Sequence, residues 1–109
     1  KHDVLIGSND YLAIAAIQAF HDHGVSVPDD LAVIGFDDTT AGKYSIPRLT
    51  SVSQPTRDIA NKAMELLLAQ VHGTKRVNPK AYALKCNLVV RESCGINRSP
   101  RGKHRRTTA

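Results

Sequence analysis

Cysteine is scarce in this sequence, and its placement excludes several kinds of site. Cys86 and Cys94 are its two cysteines, and they do not form a Cys-x-x-Cys pair. Two cysteines suggest no disulfide framework, so a reducing compartment is the default expectation. His21 and His23 are two residues apart and do not share a helix face, so they give no metal-site spacing. We therefore expect neither a metal ion nor a cofactor.

Long apolar runs are absent as well. No run approaches the roughly 18 apolar residues that a membrane span requires, although 41% of the 109 residues are hydrophobic, enough for the core of one small domain. The start shows no signal peptide, because residues 1–3 lead directly into a short apolar run. The first residue is not Met, so we expect the natural N-terminus to lie upstream. These features predict a cytoplasmic protein without a membrane partner.

Acidic residues are missing from the last 16 positions. Residues 1–93 contain ten Lys and Arg and ten Asp and Glu, so the net charge of +5 comes from residues 94–109. The bases of this segment are Arg98, Arg101, Lys103, Arg105 and Arg106. A solvated, disordered tail is the favoured interpretation, because such a polar segment cannot bury enough surface to fold. A salt-sensitive contact with nucleic acid is the alternative.

The first 36 residues predict a strand–helix–strand unit. Residues 3–7 and 31–36 are short apolar runs, typical of buried strands. Residues 11–22 are too long and alanine-rich for a strand and predict a helix, capped by Ser8 or Asn9 and ended by Gly24. The two strands of such a unit are parallel and covered on both faces. The fold class is therefore α/β, with a parallel sheet.

The predicted first helix is apolar almost all the way round. Only Tyr11 and Gln18 are clearly polar in its first ten residues. A helix of this kind is covered on more than one side, by the rest of a larger domain or by another subunit. Ile14 lies roughly 100–200° around the helix from several sheet-facing positions. We expect it to meet a second subunit; packing inside its own domain is the alternative.

The second half of the chain predicts one helix and one strand. Residues 55–73 form the helix, which Pro55 opens and Gly73 ends. Residues 82–91 alternate with a period of two and predict a strand near a sheet edge. Three strands and two long helices are few for a parallel sheet, so we expect a part of a larger α/β domain. The buried stripe of the helix is expected at Ile59, Ala63, Met64, Leu67 and Val71.

Polar side chains follow both predicted parallel strands. Asn9 comes after the first strand, and Asp37 and Asp38 come after the second. Ligands of open parallel sheets bind outside the carboxyl ends of the strands, and neighbouring strands are about 4.8 Å apart. An amide and a carboxylate at this spacing suit adjacent hydroxyls of a sugar or N–H groups of a purine.

Two other roles for these acids stay open. Asp37 and Asp38 are residue types that often serve as helix caps or turn residues. Acids at strand ends also bind Mg²⁺ or accept a phosphoryl group, but such chemistry usually needs a Lys or further acids at the same rim. The sequence offers no obvious Lys there and no G-x-x-x-x-G-K-[ST] loop. Binding is therefore favoured over catalysis, and we expect no enzyme.

Five short motifs follow one another in register between Ser8 and Ser93. They are ND-x-x-A, G-x-x-VP-x-D, V-x-GFDD, P-x-LT-x-V-x-QP and VVRES. Together they resemble the C-terminal part of LacI/GalR-type transcription regulators. The resemblance implies a periplasmic-binding-protein-like (type I) fold, in which two α/β subdomains close on a sugar or nucleoside-like effector. It also implies a homodimer and an N-terminal helix-turn-helix domain, absent here, that binds operator DNA.

The resemblance assigns roles to particular positions. Asn9, Asp37 and Gln54 match effector-contacting positions or positions that line the cleft. The first helix and residues 41–46 match the dimer surface of the family. The positions expected in that interface are Leu12, Ile14, Ala15, Gln18, Tyr44 and Ser45.

The resemblance also divides the chain. Residues 1–93 correspond to the C-terminal part of the effector domain, residues 55–80 contribute to the other subdomain, and residues 94–109 form the basic tail. Arg48 departs from the family, which more often has a small residue or a second proline there. A periplasmic sugar-binding protein of a transport system is the alternative, but the motifs and the apolar helix favour the regulator.

Overall fold

The computed structural model of the chain describes residues 3–73 and 80–96. Residues 74–79 and residues 97–109, which make up most of the expected basic tail, lie outside the described residues. The elements in chain order are β1 (Val4–Ile6), α1 (Asp10–Asp22), β2 (Ala32–Phe36), α2 (Thr40–Tyr44), β3 (Thr50–Ser53), α3 (Thr56–Val71) and β4 (Asn87–Val89).

The four strands form one mixed sheet in the order β1-β2-β3-β4. β1, β2 and β3 run parallel, and β4 pairs antiparallel with β3. The predicted α/β class and the parallel pairing of the first two predicted strands are confirmed. β4 lies at a sheet edge as predicted, but only three of the ten residues expected in this strand pair with β3.

Two elements have no counterpart in the prediction, namely the short helix α2 and the strand β3. β3 is polar in sequence, yet Thr50 and Ser51 are completely buried. Their hydroxyl groups are hydrogen bonded: Thr50 Oγ1 accepts from the Arg91 amide at 2.8 Å, and Ser51 Oγ donates to Asp10. Because hydrogen bonds satisfy the buried hydroxyls, this strand needs no apolar alternation.

The core lies between α1 and the sheet. Ala13 and Ile17, one helical turn apart, pack with Val33 and Leu49 into one buried cluster. Ile14 also packs against this cluster and is half-buried, so in a single chain it contacts the core of its own domain, as the alternative interpretation expects. Leu12, one of the positions expected in the dimer interface, is 57% exposed. Of these two apolar side chains of α1, Leu12 rather than Ile14 is therefore the one left exposed in a single chain.

The expected buried stripe of α3 is exposed in this chain, because α3 has no buried residue. Met64 is 53% exposed and Val71 is 69% exposed. Among the described residues, Tyr82, Leu84 and Cys86 line a hollow beside this helix. Three side chains of an irregular segment cannot cover a helix of 16 residues. The prediction of a buried stripe is thus wrong for the chain as it stands.

The end of the described chain is attached to the sheet by side chains. Ser93 is fully buried, and its hydroxyl donates to the Val33 carbonyl at 2.6 Å and accepts from the Thr50 amide at 2.9 Å. Next to it, Glu92 accepts from the backbone N–H of Arg48 at 2.8 Å and from its guanidinium at 3.0 Å. Arg48, the departure from the family pattern, therefore has a local partner.

The pKa of Glu92 responds to this contact. The backbone N–H of Arg48, and then its guanidinium, hold the pKa of the carboxyl group below its ordinary value. Because the pKa of Glu92 is lower in the folded state, the Arg48–Glu92 contact makes its full contribution to stability above the ordinary pKa of Glu. That contribution is lost as the pH falls through the lowered folded-state value.

Replacing Leu49 with Ala should destabilise the fold by about 3 kcal/mol, because the change leaves a cavity in the buried cluster. Leu88 in β4 is the matched control, since it is 55% exposed. Leu88→Ala should cost less than about 1 kcal/mol. Urea unfolding followed by circular dichroism measures both. Equal losses for the two variants would show that Leu49 does not anchor the core.

Candidate functional site

Three parallel strands end at one rim of the sheet. Asn9 follows β1, Asp37 follows β2 and Gln54 follows β3. The register pairs Ile6 with Ile34 and Phe36 with Val52, so the three strands run side by side towards this edge. All three residues that the resemblance assigns to the effector therefore come from the carboxyl edge of the sheet.

The structure brings Asp37 and Gln54 into direct contact. Gln54 Nε2 donates a hydrogen bond to Asp37 Oδ1 over 2.6 Å. Asp37 is exposed, and Gln54 is half-buried. The contact leaves the second carboxylate oxygen and the amide oxygen as hydrogen-bond acceptors. Gln54 also keeps its second N–H as a donor, so hydroxyl groups, which both donate and accept, and N–H groups suit this pair.

Asn9 has a second role. Its Oδ1 accepts from the backbone N–H of Leu12 at 2.9 Å and so caps the N-terminus of α1. Capping, which the sequence predicts for Ser8 or Asn9, thus uses the oxygen of the Asn9 side chain. Its amide nitrogen remains as a donor at the rim.

The two consecutive acids of the GFDD motif have different partners. Asp38 forms an ion pair with Arg91, and the two side chains are only 16% and 14% exposed, respectively. Arg91 also donates from Nη1 to the Leu49 carbonyl at 2.8 Å. Asp38 therefore joins the end of β2 to the VVRES segment, while Asp37 faces solvent beside Gln54.

The turn that carries both acids has an unusual backbone. The φ angles of Asp37 and Asp38 are 102° and 52°, in the left-handed region that residues other than glycine seldom adopt. Three backbone amides hold this turn. The Asp37 amide donates to the Val52 carbonyl at 2.9 Å, the Asp38 amide to Ser51 Oγ at 3.0 Å, and the Thr39 amide to Asp10 Oδ2 at 2.6 Å.

Asp10 is the residue of this region whose role sequence reasoning missed. It is completely buried at the first position of α1, where the helix dipole favours a negative charge. Its carboxylate accepts from the amide and the hydroxyl of Thr39 and from the hydroxyl of Ser51. The sequence gives one signal, an acid directly before an apolar helix, but that pattern equally describes an exposed first-turn residue.

The residues expected in the dimer interface lie on α1, on α2 and at Ser45 directly after α2, and the two helices pack against each other. Leu12 and Tyr44 are 57% and 81% exposed. Ala15 and Gln18 are exposed too, and Gln18 donates to Asp22 at 2.9 Å. Ser45 is half-buried and donates to backbone carbonyls. Ile14, the sixth of these residues, packs on the core.

The described residues contain no group of three or more His, Cys, Asp or Glu side chains that could hold a metal ion. Within residues 3–73 and 80–96, no helix has the length and apolar character needed to cross a membrane.

Comparisons with known proteins give a consistent result. A family described as "Periplasmic binding protein-like domain" matches residues 3–94. The HTH-type transcriptional regulator AscG of Escherichia coli (strain K12) is 37% identical over 93 residues, which are 85% of this chain and 27% of that protein. The chain thus spans about a quarter of the length of this relative.

Solved structures agree with the sequence comparison. The transcriptional regulator CelR in complex with cellobiose matches with a TM-score of 0.78 and 34% identity, over 84% of this chain and 28% of that one. The lac repressor dimer bound to operator and the anti-inducer ONPF matches with a TM-score of 0.72 and 29% identity, over 83% of this chain and 27% of that one.

Replacing Arg91 with Ala should destabilise the protein by about 3 kcal/mol, because it leaves the largely buried Asp38 carboxylate without its partner. Arg48→Ala is the control, since the Arg48–Glu92 pair is exposed and such pairs contribute little. Thermal unfolding measures both variants. A loss for Arg48→Ala as large as that for Arg91→Ala would contradict the structural role of the Asp38–Arg91 pair.

Proposed function

Because the chain belongs to the periplasmic-binding-protein-like domain family, as found in LacI/GalR-type regulators, we propose that it binds the effector and dimerises within a DNA-binding transcriptional repressor. Family membership, which the five motifs predict, is confirmed. Contact with operator DNA belongs to a helix-turn-helix domain outside this chain. A regulator of this kind works in the cytoplasm, where its DNA is.

The Asp37–Gln54 pair is the observation that carries the effector-binding role. With one oxygen of Asp37 held by Gln54, the rim offers two acceptors together with N–H donors of the Gln54 and Asn9 amides. This combination suits a neutral molecule with adjacent hydroxyls or N–H groups, hence a sugar or a nucleoside-like compound. The cellobiose bound to CelR is a molecule of the first class.

We propose binding rather than catalysis for this rim. The relatives are named as transcriptional regulators, and Asp38, the second acid, is engaged by Arg91 instead of being available for chemistry. The same names favour the regulator over a sugar-binding protein of a transport system. Neither a cofactor nor a metal ion is part of the proposed role.

A second copy of the chain is the proposed occupant of the α1–α2 surface. Leu12 and Tyr44 supply large exposed apolar groups there. The solved lac repressor is a dimer, and in a two-fold dimer the same surface of each subunit meets its mate. We further propose that α3 belongs to the other subdomain, because none of its residues is buried against the sheet described here.

Asp37→Ala should weaken effector binding by about 2 kcal/mol, or about 30-fold, because a hydrogen bond to a charged group is lost. The measurement is calorimetric titration of the full-length protein with cellobiose, D-ribose and adenosine. Asp29→Ala, which changes an exposed acid outside the rim, is the control and should retain affinity. Unchanged affinity in Asp37→Ala would refute the assignment.

Leu12→Asp should split the full-length dimer into folded monomers. Burying a Leu side chain contributes about 1.5–3 kcal/mol, and in a two-fold dimer each of the two subunits buries one. Ile14→Asp is the contrasting variant and should unfold the subunit, because Ile14 packs on the core. Sedimentation reports the association state and circular dichroism the folding. A Leu12→Asp protein that stays dimeric would exclude this surface.

A further inference from the structure

We propose that Asp10 is a positioning residue for effector binding: its buried carboxylate holds the turn at residues 37–39 so that Asp37 stands beside Gln54. The proposal rests on the effector-binding role proposed for the rim. Asp10 itself does not touch the effector, because its side chain is completely buried. It acts indirectly, through its hydrogen bonds to the residues that hold the turn.

Three hydrogen-bond donors converge on the two oxygens of Asp10. The amide of Thr39 lies 2.6 Å and its hydroxyl 2.9 Å from Oδ2, and the hydroxyl of Ser51 donates to Oδ1. A carboxylate has acceptor capacity for all three, whereas an amide of the same shape has one oxygen and one donor group. An Asn at this position could keep its oxygen for Thr39, but its NH₂ group would then face the Ser51 hydroxyl, which would lose its acceptor.

The Ser51 hydroxyl extends the contact to the second residue of the turn. Because its hydrogen is directed to Asp10, its lone pairs are available to the Asp38 amide, which donates to Ser51 Oγ at 3.0 Å. Asp10 thus determines, directly or through Ser51, where the amides of Asp38 and Thr39 lie. Asp37 directly precedes Asp38, so the position of its side chain follows from that of the turn.

The turn needs such restraint. Asp37 and Asp38 both have φ angles in the left-handed region, and residues other than glycine persist there only when their surroundings hold them. Without the contacts of Asp10 and Ser51, the backbone is expected to relax towards negative φ. That change would turn the Asp37 carboxylate away from Gln54.

The space around Asp10 is shaped for its carboxylate. A Cβ atom added at Gly42 would lie 3.0 Å from Oδ2, and one added at Gly35 would meet Leu49 Cδ2 at 2.7 Å and Asp10 Oδ1 closer still. Thr39 also caps α2 by accepting from the Gly42 amide at 3.4 Å. The same carboxylate therefore restrains the rim turn and the start of α2.

The test compares Asp10→Asn with Ser93→Ala in the full-length protein. Ser93 is the matched control, because it too is completely buried and its hydroxyl is bonded to two backbone groups, neither of which belongs to residues 37–39. The first readout is hydrogen–deuterium exchange of a peptide covering residues 37–44. The second is titration with cellobiose, D-ribose and adenosine.

If Asp10 positions the turn, Asp10→Asn should raise hydrogen–deuterium exchange in residues 37–44. It should also weaken, by at least tenfold, the affinity for whichever compound the unchanged protein binds. Ser93→Ala should change the affinity less than twofold at a comparable loss of melting temperature. The proposal is overturned if Asp10→Asn binds with unchanged affinity. It is also overturned if Ser93→Ala loses as much affinity, because the effect would then follow from lower stability alone.

Thr39→Val provides a milder variant if Asp10→Asn does not fold. It removes one of the three donors to Asp10 and keeps the backbone amide, so the expected loss of affinity is about threefold; no loss would overturn the proposal. If the unchanged protein binds none of the three compounds, effector binding of this class is refuted separately. The exchange of residues 37–44 then decides the positioning role, and unaltered exchange in the variant overturns it.

Discussion

The buried carboxylate of Asp10 is the contact on which the carboxyl edge of the sheet depends. It receives donors from Thr39, before α2, and from Ser51, inside β3, although all three residues are far apart in the chain. An unpaired charge in such a position is costly, and this one is stabilised by converging donors and by the N-terminus of α1. Strand end, helix start and turn are therefore parts of one polar cluster rather than independent features.

The sequence predicted those parts of the fold that follow from apolar pattern. β1, α1, β2 and α3 are apolar runs or amphipathic segments with recognisable ends, and all four were anticipated. β3 was missed because its buried positions, Thr50 and Ser51, are filled by hydroxyl groups whose partners lie up to 41 residues away. No local period records such pairing. The exposed face of α3 shows the opposite limit, since an apolar stripe indicates what a helix can bury and not what covers it.

The composition of the candidate site stays a prediction, and the different partners of its two acids did not follow from the sequence. Strand ends and five motifs in register named Asn9, Asp37 and Gln54, and the structure brings Asp37 and Gln54 together. Which of two adjacent acids faces solvent depends on the left-handed turn and on Arg91, 53 residues beyond Asp38. Neither the left-handed turn nor the pairing of Asp38 with Arg91 can be recognised from the sequence alone. The role of Asp10 was not predicted, because the burial of a residue at the start of a helix depends on the elements that pack around it.

The attachment of Ser93 has a consequence for the order in which the chain becomes structured. The Ser93 hydroxyl bonds both the Val33 carbonyl, 60 residues earlier in the chain, and the Thr50 amide, 43 residues earlier. Contacts so distant in sequence close late and slow folding, because the intervening chain must first be ordered. During synthesis, β2 and β3 leave the ribosome before the VVRES segment, which supplies the Ser93 hydroxyl. Until that segment emerges, the buried amide of Thr50 lacks its hydroxyl partner, and the nascent sheet presents an open edge to chaperones and to other chains.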